Sequence, residues 1–343
     1  MFKYAERLKK LREKMQAQSI NALVIGGADR FDANAYYYSG DSAFPCVLLL
    51  TPTSAELFTT LQAQDVPAAK VFSSIYPFKA WKKAVEARLN ELKPKKVAFD
   101  RRSDTSGFFA FQKTAYEKID FTPQLLQMRE KKDPDEIKLL REAQELTKKI
   151  VHDVVASGVD GLTESQIAGR IEFRAREAGS SLDAFTPLIQ SGANTAVFHA
   201  STTNKKVDTR KEVLLIDAGC RVDFYCADHT LTVYNGKDED IISALNAVKE
   251  SQAKSQALAK AGASGKQVVE KALDVLAEFG YRNKFTFHGV GLGLGHSVGL
   301  EVHDGWRRID EVDKLEKGMA FTVEPGLYFP RKFGIRFEEV AFI

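Results

Sequence analysis

VLLIDAGCRVDFYCADHTLTVY, residues 213–234, is the stretch on which the reading of this chain turns. Four apolar residues, Val213 to Ile216, run straight into Asp217, and Asp228 follows eleven positions later inside a second strand-like segment. Strands of this kind point successive side chains to opposite faces. A turn centred between Val222 and Asp223 is expected, which places Asp217 directly opposite Asp228 on one face. Cβ atoms so placed lie about 4.5–5.5 Å apart. Two carboxylates that close repel each other, and burial sharpens the conflict. A cation between them, or a raised pKa on one, relieves it.

The carboxy-terminal stretch repeats the pattern. MAFTVEPGLYFPRKFGIRFEEVAFI, residues 319–343, carries Glu324 and Glu338. Pro330 and Gly334 suit a turn, and a turn centred on Arg331 sets the two glutamates opposite each other. Arg336 stands two residues before Glu338 and so shares its face. Between the two hairpins lies HGVGLGLGHSVGLEVHD, residues 288–304, read as part of a strand-rich end. Its glycines let backbone approach closely, and His296 adds a nitrogen donor. It is not a dinucleotide loop, because no GxGxxG spacing opens a helix here. Four carboxylates and one imidazole suit Mn²⁺, Co²⁺, Fe²⁺ or Zn²⁺. Their four negative charges offset two divalent cations, which at about 3.5–4 Å apart share a bridging water.

The bulk numbers set the frame. A length of 343 residues suggests two domains. A hydrophobic share of 44% and a charged share of 28% fit a soluble globular chain. A net charge of +3 without a basic stripe argues against nucleic acid. Three cysteines without a CxxC pair point to a reducing, cytoplasmic compartment. Residues 1–15 are charged throughout and do not read as a signal peptide, and no apolar run is long enough for a membrane span.

Residues 3–17 and 78–92 read as helices, and 21–27, 46–52, 56–60 and 95–100 as strands, giving a first α/β region that ends near residue 130. In KKDPDEIKLL, residues 131–140, Asp133 is an N-cap, Pro134 fits the first helical position and Glu136 completes a capping box. Thr163 and Gln166 make a second box. Strands at 185–192, 213–219 and 224–234 and helices at 238–261 and 265–279 follow. All six histidines fall after residue 130.

Asp217 and Asp228 at this spacing, with GHSVGLEVHD (295–304), VEPGLYF (323–329) and GIRFEE (334–339), together resemble the proline-specific pita-bread metallopeptidases. These are the Xaa-Pro dipeptidases, or prolidases, and the aminopeptidases P. SGANTAVFH, residues 191–199, is similar to the SGxNxAxxH stretch of that family. The resemblance implies an α+β fold: a pita-bread catalytic domain with pseudo-two-fold symmetry over 131–343. A smaller α/β creatinase-like domain over 1–130 would precede it and serve oligomerisation and substrate gating. It implies that Asp217 binds one ion, that His296 and Glu324 bind the other, and that Asp228 and Glu338 bridge both. Glu324 would also take the proton of the attacking water. His199 and His303 would contact substrate or stabilise the tetrahedral intermediate. Arg336 matches an arginine near the site and would bind substrate. Arg307 matches one that holds a dipeptide carboxylate through a paired contact, and Arg308 is its equal on chemistry.

The activity so implied is cleavage of the Xaa-Pro bond in dipeptides or short peptides by a hydroxide bridging two ions. Mn²⁺ is the foremost candidate, with Co²⁺, Zn²⁺ and Fe²⁺ as alternatives, and the chain would act as a homodimer. An aminopeptidase P, a hydrolase of another C–N bond, and a binding protein that kept the fold without catalysis stay open beside it. Two positions depart from the pattern. Leu292 stands where many relatives hold a histidine, with His288 as a replacement if the glycine run bulges. Leu231 stands where an arginine is usual.

Overall fold

The computed structural model describes residues 2–27, 30–106, 115–181, 183–281, 285–305 and 307–343. Its contacts divide into two units, Met1–Met128 and Arg129–Ile343.

The first unit is built on a mixed sheet. ALVIGG forms β1 (Ala22–Gly27), which is buried along its whole length. It lies between β2 (Cys46–Leu50), antiparallel, and β5 (Lys96–Phe99), parallel. With β3 (Ala55–Thr59), β4 (Ser74–Pro77) and β6 (Glu117–Asp120) the order is β4-β3-β2-β1-β5-β6. Helix Trp81–Leu92 buries Trp81, Val85 and Leu89, spaced four apart on one face. They pack on Val24, Val47, Phe58 and Val97 from the sheet. Full burial of each such side chain contributes about 1.5–3 kcal/mol. The α-helix starts three residues later than the sequence suggests, because Phe78–Ala80 form a 3₁₀ turn.

The second unit has two halves with the same order of parts. Helices Pro134–Ala156 and Glu164–Glu177 precede β7 (Leu188–Ser191), β8 (Leu214–Ala218) and β11 (His229–Val233). Helices Glu239–Leu258 and Gly265–Glu278 precede β12 (Ala320–Val323), β13 (Gly326–Phe329), β14 (Phe333–Arg336) and β15 (Glu339–Phe342). Capping begins the helices as the sequence suggests. Glu136 accepts from the Asp133 N–H at 2.8 Å, and Thr163 and Gln166 exchange bonds of 2.9 and 3.1 Å. The first helix buries Leu140, Ile150, Val151 and Val154. The same face carries Gln144 and Thr147, which reach the β8–β11 hairpin where its ladder breaks. Gln144 Nε2 donates to the Asp228 carbonyl at 3.0 Å and its Oε1 accepts from the Asp228 N–H at 3.3 Å. Thr147 Oγ1 accepts from the Cys220 N–H at 2.9 Å. This is why residues 224–234 do not form one strand but split into β10 (Tyr225–Cys226) and β11.

The hairpin register differs from expectation by one turn position. Asp223 and Phe224 both have positive φ, 44° and 70°, which is the two-residue turn that matches strand twist. Val222, in β9 (Arg221–Val222), therefore pairs with Tyr225, and Asp217 pairs with Thr230 rather than Asp228. Asp228 lies two residues along from Thr230. A shift of two is one full pleat, so both carboxylates still face the same way. The second hairpin turns at Arg331, φ 63°, as expected. Gly326 pairs with Arg336 and Val323 with Glu339, and Glu324 stands opposite Glu338 between these two ladders. Residues 288–304 are not the strands the sequence suggested. Among the described residues they form turns, with bridges from His296 to Arg308 and from Ser297 to Phe321. Gly295 explains part of this: a Cβ there would meet the Thr322 carbonyl oxygen at 2.0 Å, so the loop lies directly on β12.

No helix among the described residues is long and apolar enough to cross a membrane. Cys46, Cys220 and Cys226 are free thiols, all buried.

Candidate metal centre

Strand register carries the acids into one row. Leu188 pairs with Asp217, Asp217 with Thr230, and Thr230 bridges to Glu338. Glu324 follows across the second hairpin, and its N–H donates to the Leu294 carbonyl at 2.8 Å. His296 is docked on the same strand: its N–H donates to Thr322 Oγ1 at 3.0 Å, and its carbonyl accepts from the Thr322 N–H at 2.8 Å. Donor atoms of Asp228, His296 and Glu338 lie within 4.8 Å of one another. His296 Nε2 is 3.5 Å from Asp228 Oδ2 and 3.6 Å from Glu324 Oε1. Asp217, Asp228, His296, Glu324 and Glu338 all line one cavity of about 490 Å³.

These acids are short of donors. Asp217, Asp228, Glu324 and Glu338 are each under a tenth exposed. Thr230 Oγ1 donates to Glu338 at 2.6 Å, Thr322 Oγ1 to Glu324 at 3.1 Å, and the Arg336 guanidinium to Asp217 Oδ2. Asp217 Oδ1 is buried with no hydrogen-bond partner. Burial, with Asp228 and Glu324 alongside, pushes the Asp217 carboxyl up to about 7 against the pull of Arg336. Burial raises Glu324, and burial with the neighbouring carboxylates raises Glu338 well above the ordinary range. His296 is pushed up to about 9: burial opposes its charge, but the bond to Asp228 and the field of Glu324 outweigh that. Uncompensated buried charge is strongly destabilising, and divalent cations are what four such carboxylates and an imidazole fit. The orphaned Asp217 oxygen points the same way.

The remaining expected residues separate into two groups. His199 and His303 line the cavity. The His303 ring lies 3.9 Å from that of His296. Burial and the nearby His296 push His303 down to about 4, and burial and Arg336 lower His199. Arg336 does not meet the cavity. It is 1% exposed, behind the acids, donating to Asp217, to Thr230 Oγ1 at 3.1 Å and to Tyr328 at 3.3 Å. Its bonds therefore run to the carboxylate row and to Tyr328. Arg307 is not among the residues that line the cavity. Its guanidinium is taken by Glu130 Oε1 at 2.8 and 3.2 Å; Arg308 lines the cavity, and its own guanidinium donates to Asp310 Oδ2 at 3.2 Å. Leu292 lines it too, and His288 is exposed elsewhere. Leu231 packs against the core.

Sequence reasoning missed Thr230, Thr322 and Gln144. The two threonines had a readable signal, since each stands two residues from an acid and so shares its face. Gln144 had none, because its partner is backbone 84 residues away.

The sequence matches the pattern of Metallopeptidase family M24 over residues 138–343 and of the Creatinase/Prolidase N-terminal domain over residues 7–131. An Xaa-Pro dipeptidase of Pyrococcus horikoshii is 31% identical over 98% of this chain and 94% of its own length. One from Pyrococcus furiosus is 27% identical over 98% and 95%. Among solved structures, the prolidase of Pyrococcus horikoshii superposes with a TM-score of 0.83 at 29% identity, covering 98% of this chain and 95% of that one. The X-Pro aminopeptidase of Thermotoga maritima does so with a TM-score of 0.80 at 29% identity, covering 97% and 94%. With donor-poor acids gathered around one imidazole, and with these matches along its length, the chain belongs to Metallopeptidase family M24, carried behind a Creatinase/Prolidase N-terminal domain.

Proposed function

We propose that this chain is a metal-dependent Xaa-Pro dipeptidase that holds two divalent ions, Mn²⁺ foremost, between Asp217, Asp228, His296, Glu324 and Glu338. The observation that carries the reading is the donor deficit around these side chains at the wall of one cavity. When bound, the ions supply Lewis acidity toward a carbonyl oxygen and a water activated near neutral pH. The chain's own groups do the rest. Glu324 would take a proton from the attacking water and pass it to the prolyl nitrogen as the bond breaks. His303 and His199 are neutral at pH 7, so each has an N–H to offer the developing oxyanion. Arg336 keeps Asp217 aimed by a charged bond. Arg308, a cation at the cavity, would hold the free carboxylate of a dipeptide.

The resemblance further supports a homodimer, with the amino-terminal domain gating substrate. Three buried free thiols support a cytoplasmic location. The test compares proline release from Xaa-Pro dipeptides with hydrolysis of Xaa-Pro-Yaa tripeptides, after chelation and after Mn²⁺ reloading. Dipeptide turnover that vanishes on chelation and returns with Mn²⁺ is expected. Faster tripeptide turnover would assign the aminopeptidase activity instead, and equal turnover in chelated and reloaded samples would contradict the metal-dependent reading.

A further inference from the structure

The segment Arg129–Lys132, which opens the second unit, is tied repeatedly to the loop that carries His296 and His303. Arg129, 1% exposed, pairs with Asp304 Oδ1 at 2.5 Å and with Glu301. Glu130 takes the Arg307 guanidinium. The Lys132 side chain is also 1% exposed. It donates to Ser297 Oγ at 2.9 Å and to the Glu130 carbonyl at 3.4 Å, and lies 3.8 Å from Asp304 Oδ2. Within the loop, Ser297 Oγ donates to the Asp304 carbonyl at 3.0 Å, and the Asp304 N–H to the Ser297 carbonyl at 2.8 Å. Asp304 Oδ2 accepts from the Leu300 N–H at 3.1 Å. Gly299 permits this closure, since a Cβ there would stand 1.7 Å from that oxygen.

Ser297 follows His296 directly, and Asp304 follows His303. Both ends of the loop are thus pinned by buried charges at the residue next to a histidine. Taking two cations out of water is costly, and an apolar contact of the same volume is often at least as stable. What the charged cluster adds is fixed direction. We propose that Lys132 and Arg129, acting through Ser297 and Asp304, are positioning residues that lock the 297–304 loop. They hold His296 toward Asp228 and Glu324 and keep the His303 ring on His296. The Glu130–Arg307 pair belongs to the same clasp. This rests on His296 being a metal ligand, and goes beyond that reading.

Supporting shells of this kind change metal affinity or activity about 10- to 100-fold when broken. The test uses the full chain, chelated and titrated with Mn²⁺ by calorimetry, followed by dipeptide kinetics. Lys132→Met is expected to weaken Mn²⁺ binding and lower kcat, each by about 10- to 100-fold, with KM within about twofold. Lys132→Arg is expected to recover part of both. Ser297→Ala, which removes the two bonds of one hydroxyl and keeps both buried charges, is expected to weaken Mn²⁺ binding by a smaller factor. Lys131→Met, at an exposed pair with Glu316, is expected to change neither. Folded Lys132→Met that binds Mn²⁺ like the parent overturns the proposal. If Lys132→Met does not fold, unchanged Mn²⁺ affinity in Ser297→Ala overturns it. Failure of the parent chain itself to bind Mn²⁺ overturns instead the metal-centre reading beneath it.

Discussion

Asp100 in the amino-terminal sheet and Asp217 in the carboxy-terminal row are both buried acids at strand ends, yet their surroundings are opposite in kind. Asp100 accepts from Asn34 Nδ2 at 2.6 Å, Thr122 Oγ1 at 2.9 Å and the Arg102 N–H at 3.0 Å. Asp217 has one guanidinium, one orphaned oxygen and other carboxylates nearby. Glu164 shows that the contrast is not one of domain: in the second unit it is fully buried and takes donors from Ser191 and twice from Thr203. An acid supplied with donors holds the fold together. Acids that face one another are arranged for something with positive charge.

Substitutions should split along this line. Glu324→Gln is expected to lower kcat by about 10²- to 10⁴-fold, the range for losing a general base. The metal-free variant should melt no lower than the parent, because a buried acid among acids has been removed. A clear drop in its melting temperature would place Glu324 with the structural acids. Arg308→Ala should raise KM for a dipeptide by about 10- to 100-fold, the worth of a charge-assisted hydrogen bond, and leave tripeptide turnover little changed. An equal effect on both substrates would remove the carboxylate role. Asp100→Asn should do the reverse of Glu324→Gln: a loss of about 1.5–3 kcal/mol in denaturant unfolding, with kcat/KM of the folded enzyme unchanged.

The smallest effect is in protons. In the metal-free chain Asp217 titrates near 7 rather than in the usual carboxylate range. Its protonated form is favoured by folding, so that stabilising contribution is complete below about pH 4 and is lost as pH rises through about 7. Metal ligands must be ionised. Mn²⁺ binding at pH 6 is therefore expected to release more protons than at pH 8, read from binding heats in two buffers of different ionisation enthalpy. Equal release at both would contradict the donor deficit.

Much of this was legible in the chain. VLLI before Asp217 and MAFTV before Glu324 marked acids at the ends of buried strands, and the period of two fixed which way they faced. The turn at Asp223–Phe224 was misplaced by one position without harm, because the partner moved by two and face is preserved under that shift. The glycine run at 289–299 was misread as strand. Its backbone follows from contacts such as Gly295 on Thr322, which no local pattern encodes. The arginines show the same limit: Arg307 and Arg308 are alike in sequence, and only tertiary structure pairs one with the distant Glu130 and sets the other, bonded to nearby Asp310, at the cavity wall. Face and spacing are local properties; partner choice is tertiary.

Counting bound metal tests the central claim most directly. Chelated protein reloaded with Mn²⁺ and freed of excess should retain two ions per folded chain, and Asp228→Asn, which loses a shared ligand, should retain one or none. A well-folded parent chain that keeps no ion in stoichiometric amount would contradict the account.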